Sequence, residues 1–196
     1  TPGYEIIPHD VKSGDRLVMD GFSVVAVNAD HTVPSLAYAI MEDDSPGRFD
    51  TEKAAKLGIP EGPLFRRLQQ GETIEVGGKR IIPGQVLGPS RKGRKVVYTG
   101  DTRPSKAIIE LAADADLLIH DATLLSSEGE TATGFGHSTC KEASEVAHLS
   151  GSKALALVHC SPRYKELGAL VEEAKSLFPN VFAPSDLDEI VVKRSH

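Results

Sequence analysis

The stretch VVYTGDTR, residues 96–103, organises the rest of the sequence. Its apolar start, Val96 to Tyr98, predicts a short buried strand, and Gly100 lets the backbone turn sharply where that strand ends. Asp101 then follows the carboxyl end of the strand, which is where α/β sheets place their ligands. By itself this pattern is typical of an ordinary turn or helix cap. Histidines at the ends of other predicted strands favour a functional site instead.

The composition suits one sizeable globular domain. The chain has 196 residues, of which 40% are hydrophobic, enough to form a core. It contains no run of about 18 apolar residues, so we expect no membrane span. The two cysteines, Cys140 and Cys160, are too few for a disulfide scaffold and fit a reducing cytoplasm, where we expect the protein to act.

The charge is distributed unevenly. A net charge of −6 argues against a protein that binds nucleic acid over its whole surface. Basic residues nevertheless crowd the second quarter of the chain, among them Arg66, Arg67 and the run from Arg91 to Lys95. Such a local patch can bind phosphates, and it can equally be a solvated loop surface. On charge alone, both interpretations stay open.

The predicted elements indicate an α/β protein with an insertion. We predict strands at residues 5–8, 16–19, 22–27, 36–41, 96–98, 116–120, 154–158, 181–183 and 189–193 and helices at 104–112, 140–149 and 167–177. Residues 42–93 break this pattern with two short helices, at 51–57 and 63–70, and a hairpin at 73–82. Little of this stretch could fill a core, so we predict a protruding, basic arm.

Five residues with metal-binding chemistry lie at predicted strand ends or before a helix. They are His31, Asp101, His120, His137 and His159. In a doubly wound sheet, strand ends of this kind converge on one edge. Imidazole and carboxylate groups are ligands of Zn²⁺ and similar ions, and two such ions can share a bridging carboxylate and activate water against a phosphoryl group. One such histidine alone is usually structural, but several together favour a metal site.

Four motifs carry a resemblance to a known family. They are YTGDTR at 98–103, HDAT at 120–123, GHST at 136–139 and VHCSPRY at 158–164, in the order and spacing of ribonuclease Z, the tRNA 3′-processing endonuclease of the metallo-β-lactamase superfamily. His31 with the following PSLAY resembles that family's middle metal ligand, and GIPEGPL at 58–64 resembles the stretch that leads into its tRNA-gripping arm. The resemblance covers essentially the whole chain.

The resemblance implies an αββα metallo-β-lactamase sandwich, of which this chain is the C-terminal half. Residues 1–196 would form this domain, incomplete at its N-terminus, and residues 42–93 would be the inserted tRNA-binding arm. Arg66 and Arg67 would hold tRNA phosphates there. The family's His-x-His-x-Asp-His motif is absent, so a two-metal mechanism would need the missing half, on the same polypeptide or on another chain.

Roles for individual residues follow from the same resemblance. His31 would bind one metal ion, Asp101 would bridge two and His159 would bind the other, the ions being zinc or, alternatively, manganese. His137 would donate a proton to the leaving oxygen. Asp121 stands where the family usually has Glu, one methylene longer, and would orient His137.

Two further residues are expected to contact the substrate. Ser161 and Arg163 would hold a phosphate, since Arg offers a planar, bidentate fork. A surface salt bridge is the alternative for Arg163. His120 is expected to be structural, because on an alternating strand its side chain points away from Asp121.

The expected function is endonucleolytic removal of the 3′ trailer from precursor tRNA, by a homodimer as is usual in the resembled family. This chain would be inactive without the N-terminal half. Two alternatives remain: a hydrolase of small phosphodiesters or sulfate esters, and a fragment that binds RNA or a partner without turnover. The insertion argues against the first, and the absent motif favours the second.

Overall fold

A computed structural model describes Gly3, Glu5 and residues 7–194 of the chain. Two compact units are present. One consists of the described residues up to Glu42 and of residues 94–193, and the other of residues 43–93 and Arg194. Among the described residues, none of the helices is both long and apolar enough to cross a membrane.

Within the part of the chain that the structure describes, nine strands and six α-helices are formed. The strands are β1 (Arg16–Met19), β2 (Phe22–Asn28), β3 (Leu36–Glu42), β4 (Ile74–Val76), β5 (Lys79–Ile81), β6 (Lys95–Tyr98), β7 (Leu117–Asp121), β8 (Leu155–Val158) and β9 (Val181–Phe182). The helices are α1 (Thr51–Lys56), α2 (Pro63–Gln69), α3 (Lys106–Leu111), α4 (Gly129–Phe135), α5 (Cys140–Ser150) and α6 (Gly168–Lys175). Short 3-10 turns lie at Pro83–Gln85 and Ser126–Glu128.

The first unit is built on a seven-stranded sheet with the order β1-β2-β3-β6-β7-β8-β9. Strands β1, β2, β3 and β6 pair antiparallel, whereas β6 to β9 pair parallel. Parallel neighbours need a crossover, and helices α3, α5 and α6 provide it. The carboxyl ends of β6, β7 and β8 therefore share one edge, which brings the loops after these strands together.

Helices cover one face of this sheet. The core between the sheet and helices α3, α5 and α6 includes the buried residues Ala37, Ala39, Val97, Ile108, Leu118, Val146, Leu155, Leu157 and Leu170. The opposite face is apolar too, but its side chains Leu17, Ile40 and Tyr98 are 41–49% exposed. A sheet with helices on one face and an open apolar face has the layering of one half of an αββα sandwich, as predicted.

The second unit has a core of its own. Ala54, Ile59, Leu68, Ile74, Ile81 and Val86 are buried together. The rings of Phe49 and Phe65 pack beside them, with centroids 4.4 Å apart. The expectation that little of residues 42–93 fills a core is therefore wrong, because single apolar residues scattered among glycines and prolines meet only after folding. Glu42 ends β3, so this unit starts at Asp43.

Other differences from the predicted elements concern short segments. Residues 189–193 are irregular, and the described residues of 5–8 form no strand; Ile6 lies outside the described residues. Helix α4 was not predicted, because its glycines resemble a loop. Helix α3 is capped by Ser105, whose hydroxyl accepts from the Ile108 N–H, and α5 by the capping box of Thr139 and Glu142.

Candidate metal centre

Five of the predicted site residues converge at the carboxyl edge of the large sheet. Asp101 follows β6, Asp121 ends β7, and His159 follows β8. His31 comes from the loop after β2, and His137 from the segment between α4 and α5. The ring centroid of His137 lies 5.1 Å from that of His31 and 4.8 Å from that of His159.

Asp101 lies next to these imidazoles. Its Oδ2 is 3.7 Å from His159 Nε2. Ligand atoms of His31, Asp101 and His137 all lie within 4.8 Å of one another, which is the spacing of a group that can share one metal ion. Nitrogen and carboxylate donors in such a group suit Zn²⁺ and comparable divalent ions.

Asp121 is fully buried and its carboxylate is saturated with hydrogen bonds. Oδ2 accepts from the Thr102 N–H at 3.0 Å and from His137 Nδ1 at 2.8 Å. Oδ1 accepts from the Thr123 N–H at 3.1 Å and from the Thr123 hydroxyl at 2.7 Å. Asp121, His137 and His159 also meet the spacing for a metal group, but four donors already occupy the Asp121 oxygens. The Asp121 side chain, one methylene shorter than the Glu usual in the resembled family, thus reaches His137 and holds its ring.

The hydrogen bond of His31 determines which of its nitrogens is free. His31 Nδ1 lies 2.8 Å from the Gly136 carbonyl oxygen. A carbonyl only accepts, so Nδ1 must carry the proton. The neutral imidazole therefore presents the lone pair of Nε2, the atom that a metal ion would bind.

The same reasoning applies to His159 and His137. His159 Nδ1 lies 2.9 Å from the Thr123 hydroxyl, whose own proton goes to Asp121. Thr123 must then accept from His159, so Nδ1 of His159 is protonated and Nε2 is free. His137 Nδ1 likewise donates to Asp121. In the neutral form, each of the three rings therefore has an unprotonated Nε2, the kind of nitrogen donor that binds a divalent metal.

The backbone of His159 itself is strained. Its φ is +59°, in the left-handed region, which costs a non-glycine residue about 1 kcal/mol. The Ser161 N–H donates to the Thr123 carbonyl at 3.0 Å and ties the loop after β8 to the chain beyond β7. The surrounding hydrogen bonds therefore hold His159 in a conformation that it would otherwise rarely adopt.

Arg103, which the sequence analysis did not single out as a site residue, joins two loops of the centre to a helix. Its backbone N–H donates to the Asp30 carbonyl at 2.7 Å, and its Nη1 contacts Asp30 Oδ1 at 3.1 Å. Its Nε donates to the Thr133 carbonyl at 2.7 Å. Thr102 adds a bond, since its hydroxyl accepts from the Asp30 N–H at 3.0 Å. The loops before His31 and after β6 are thereby fixed to helix α4.

Ser161 and Arg163 line a cavity of about 400 Å³ together with His31, Thr123 and His137. Arg163 is 53% exposed and pairs with Glu128. The Tyr164 hydroxyl donates to the same carboxylate. Arg163 therefore borders the cavity and forms the salt bridge that was the alternative, while its contact with a phosphate stays a prediction.

Two buried side chains stay outside the centre. His120 is fully buried, its Nδ1 lies 2.7 Å from the Asp121 carbonyl oxygen, and burial lowers its pKa, so it remains neutral. The prediction that His120 is structural agrees with this placement. Burial raises the pKa of the Cys140 thiol to about 12, and Cys140 packs as a small apolar residue.

Comparisons with known proteins agree with the fold. A family profile described as "Beta-lactamase superfamily domain" matches residues 67–160. A solved metallo-β-lactamase fold protein, YhfI of Bacillus subtilis, is 19% identical with a TM-score of 0.57, over 89% of this chain and 51% of that one. The short form of human tRNase Z is 23% identical with a TM-score of 0.54, over 90% and 46%. The chain has the metallo-β-lactamase fold, as predicted.

Relatives with similar sequences indicate which kind of metallo-β-lactamase fold protein the chain resembles. The ribonuclease Z of Archaeoglobus fulgidus is 48% identical over 191 residues, which are 96% of this chain and 62% of that protein. That of Methanosarcina acetivorans is 43% identical over 190 residues, 96% and 62%. The resemblance to ribonuclease Z is thus confirmed along nearly the whole chain. The chain spans about three fifths of the length of these relatives.

Divalent metal binding is implied by this fold, and the residues present fit it. The fit rests on three imidazoles whose Nδ1 atoms are engaged in hydrogen bonds. His159 Nε2 lies 3.7 Å from Asp101 Oδ2, and ligand atoms of His31 and His137 lie within 4.8 Å of Asp101. Such support of metal-binding histidines by hydrogen bonds at their second nitrogen is the usual arrangement in metal sites.

Gly136 is expected to be essential to the position of His31. Its φ is +85°, and a Cβ there would lie 2.6 Å from His31 Nδ1 and 3.0 Å from the Thr32 backbone nitrogen. We expect Gly136→Ala to lower the free energy of unfolding by about 1–3 kcal/mol and zinc affinity by about 10- to 100-fold. Chemical denaturation and zinc titration measure the two effects.

The matched control for this variant is Gly134→Ala. A Cβ at Gly134 has no neighbour within 4 Å, and its φ is not in the left-handed region. It should leave zinc binding unchanged and stabilise α4 slightly. Equal stability and zinc affinity in the two variants would contradict the packing described for Gly136.

Proposed function

We propose that the chain is part of an endoribonuclease that removes the 3′ trailer of precursor tRNA by metal-dependent hydrolysis of a phosphodiester. The observation that carries the proposal is the cluster of His31, His137 and His159 beside Asp101, in which the Nδ1 atom of each ring is engaged in a hydrogen bond. Identity of 41–48% to relatives named ribonuclease Z supports the choice of precursor tRNA as substrate.

His31, Asp101 and His159 are the residues that would hold the metal ions. Zinc suits the nitrogen and oxygen donors best, and manganese is the alternative. Bound ions would supply Lewis acidity and positive charge beside the phosphoryl oxygens. The donors just named are too few for two four-coordinate ions, so the proposal includes further ligands from outside the described residues.

Asp121 and His137 are the proposed acid pair. Asp121 holds the Nδ1 proton of His137 and would stabilise the imidazolium form. A protonated His137 would then present Nε2–H and give this proton to the departing 3′ oxygen. Ser161 and Arg163 would hold a phosphoryl oxygen, with Arg163 exchanging Glu128 for the phosphate.

The second unit is the proposed tRNA-binding arm. Arg66 and Arg67 lie in the last turn of α2, and Arg67 Nε contacts Glu72 Oε2 at 2.7 Å. Arginines on a compact unit could bind the phosphates of folded RNA without reading its sequence. A homodimer and a cytoplasmic location belong to the same proposal, supported by the resemblance alone.

Reversing both charges of the arm is expected to weaken tRNA binding. The variant Arg66→Glu/Arg67→Glu should bind a 3′-extended tRNA at least about tenfold less tightly. The slope of log affinity against log salt concentration should decrease by the amount that about two lost phosphate contacts account for. Hydrolysis of bis(p-nitrophenyl) phosphate should not change, because a small substrate has no need of the arm. Lys141→Glu/Lys175→Glu in the first unit makes the same charge change and serves as control. Equal losses of activity on the tRNA and on bis(p-nitrophenyl) phosphate would contradict the proposal that the second unit is a tRNA-binding arm.

The experiment that tests the proposed activity compares substrates. A longer form of the chain that includes the family's His-x-His-x-Asp-His motif should cut a 3′-extended precursor tRNA just after the acceptor stem, as read by sequencing the products. Its kcat/KM for the tRNA should exceed that for bis(p-nitrophenyl) phosphate or p-nitrophenyl sulfate by orders of magnitude. Preference for a small ester would support the alternative hydrolase instead.

A further inference from the structure

An exposed aromatic ring borders the metal centre. Phe135 ends α4, two residues before His137, and is 68% exposed. It lines the same cavity as His31, His137, Ser161 and Arg163. An exposed phenyl ring beside phosphate-binding chemistry is a feature that the proposed hydrolysis does not explain.

The backbone beneath this ring is held at several points. The Gly136 N–H donates to the Thr133 carbonyl at 3.2 Å, and the His137 N–H donates to the Ala132 carbonyl at 2.9 Å. Arg103 Nε donates to the same Thr133 carbonyl. Ala132 is buried. The ring therefore projects from a fixed support, and little further ordering would be needed for a ligand to bind it.

We propose that Phe135 stacks on a nucleobase next to the phosphate that is cut. This inference rests on the proposed function. Proteins bind single-stranded RNA by stacking its bases on aromatic rings, and such contacts tolerate any sequence because every base has a π-face. A single-stranded 3′ trailer of variable sequence fits this mode. The ring lines the same cavity as Ser161 and Arg163, the residues proposed to hold the phosphate.

The chain contains no tryptophan, which permits a direct test. Phe135→Trp introduces a single fluorophore at the proposed stacking position. Leu149→Trp is the matched control, because Leu149 is 66% exposed and lies in α5, outside the cavity lining. Both variants are titrated, in EDTA to prevent cleavage, with a short single-stranded RNA and with the same strand lacking its bases. Anisotropy of a labelled strand measures binding independently.

The expected result is strong quenching of the tryptophan at position 135 by the RNA, weak quenching by the abasic strand, and almost none in the control variant. Phe135→Ala should weaken RNA binding about 10- to 100-fold, and Phe135→Tyr should restore it. Binding without selective quenching at position 135, or equal quenching by the abasic strand, overturns the stacking inference and leaves the proposed function standing. Absence of RNA binding in every variant would overturn both.

Discussion

Replacing Asp121 by Asn is expected to lower the rate of precursor tRNA cleavage by about 10³- to 10⁴-fold, with little change in KM. The magnitude follows the loss seen when the buried carboxylate of a Ser-His-Asp triad becomes an amide. In both cases a buried oxygen fixes the tautomer of a histidine that transfers a proton. Here that oxygen is Asp121 Oδ2, 2.8 Å from His137 Nδ1.

An amide cannot replace this carboxylate. Asp121 accepts four hydrogen bonds, from Thr102, His137 and two groups of Thr123. Asn would direct an NH₂ group at two of these donors, so either His137 changes tautomer or the Thr123 bonds break. Because Thr123 also accepts from His159, the second result would release that histidine too. We expect an additional loss of about 1–3 kcal/mol in the free energy of unfolding.

The measurement is single-turnover cleavage by the longer form of the chain, with KM and a thermal melt recorded on the same preparation. Glu110→Gln is the control, since it makes the same acid-to-amide change on the exposed surface of α3. It should leave both rate and stability unchanged within error. A variant at Asp121 that cleaves at the normal rate would show that His137 needs no carboxylate.

Removing the carboxylate of Asp101 is expected to abolish high-affinity metal binding. Asp101 is the acid that approaches both the His31–His137 pair and His159. Asp101→Ala should weaken binding of zinc by at least about 100-fold, more than the usual effect of losing a residue that only supports a ligand. Calorimetric titration of the chain with zinc gives this value without any need for activity.

The control for Asp101 is Asp186→Ala, which removes an exposed carboxylate of the first unit. Its zinc affinity should equal that of the unaltered chain. The melting temperature of Asp101→Ala without metal should also change little, because the contact with His159 is the one ion pair that Asp101 forms within the described residues. Unchanged zinc affinity in Asp101→Ala would show that zinc binds at a site without Asp101.

The sequence predicts the parts of the site that depend on local pattern. The apolar run of β6 followed by Gly100 locates Asp101 at a strand end, and the same rule applies to Asp121 and His159. Because parallel strands share one edge, their convergence follows from the order of strands and helices. The four motifs add His137 through their spacing. The layering of sheet and helices could be predicted for the same reason, because it follows from the order of strand and helix patterns along the chain.

Other parts depend on contacts between distant residues, which no local pattern contains. Arg103 reaches Thr133, 30 residues away, and Asp30, 73 residues away. The bond from His31 to Gly136 spans 105 residues. The core of the second unit arises in the same way from isolated apolar side chains. Sequence reasoning therefore predicted candidate ligands but not the hydrogen bonds that determine which of their nitrogens is free.

Cleavage of a 3′-extended precursor tRNA with added zinc or manganese tests the central claim most directly. The chain would be assayed alone, in the longer form with the His-x-His-x-Asp-His motif, and in that longer form with Asp101→Ala. The account predicts release of the trailer only by the longer form with Asp101 intact. Full cleavage by the Asp101→Ala variant would contradict the metal centre. Cleavage by the chain alone would contradict the need for ligands beyond the described residues.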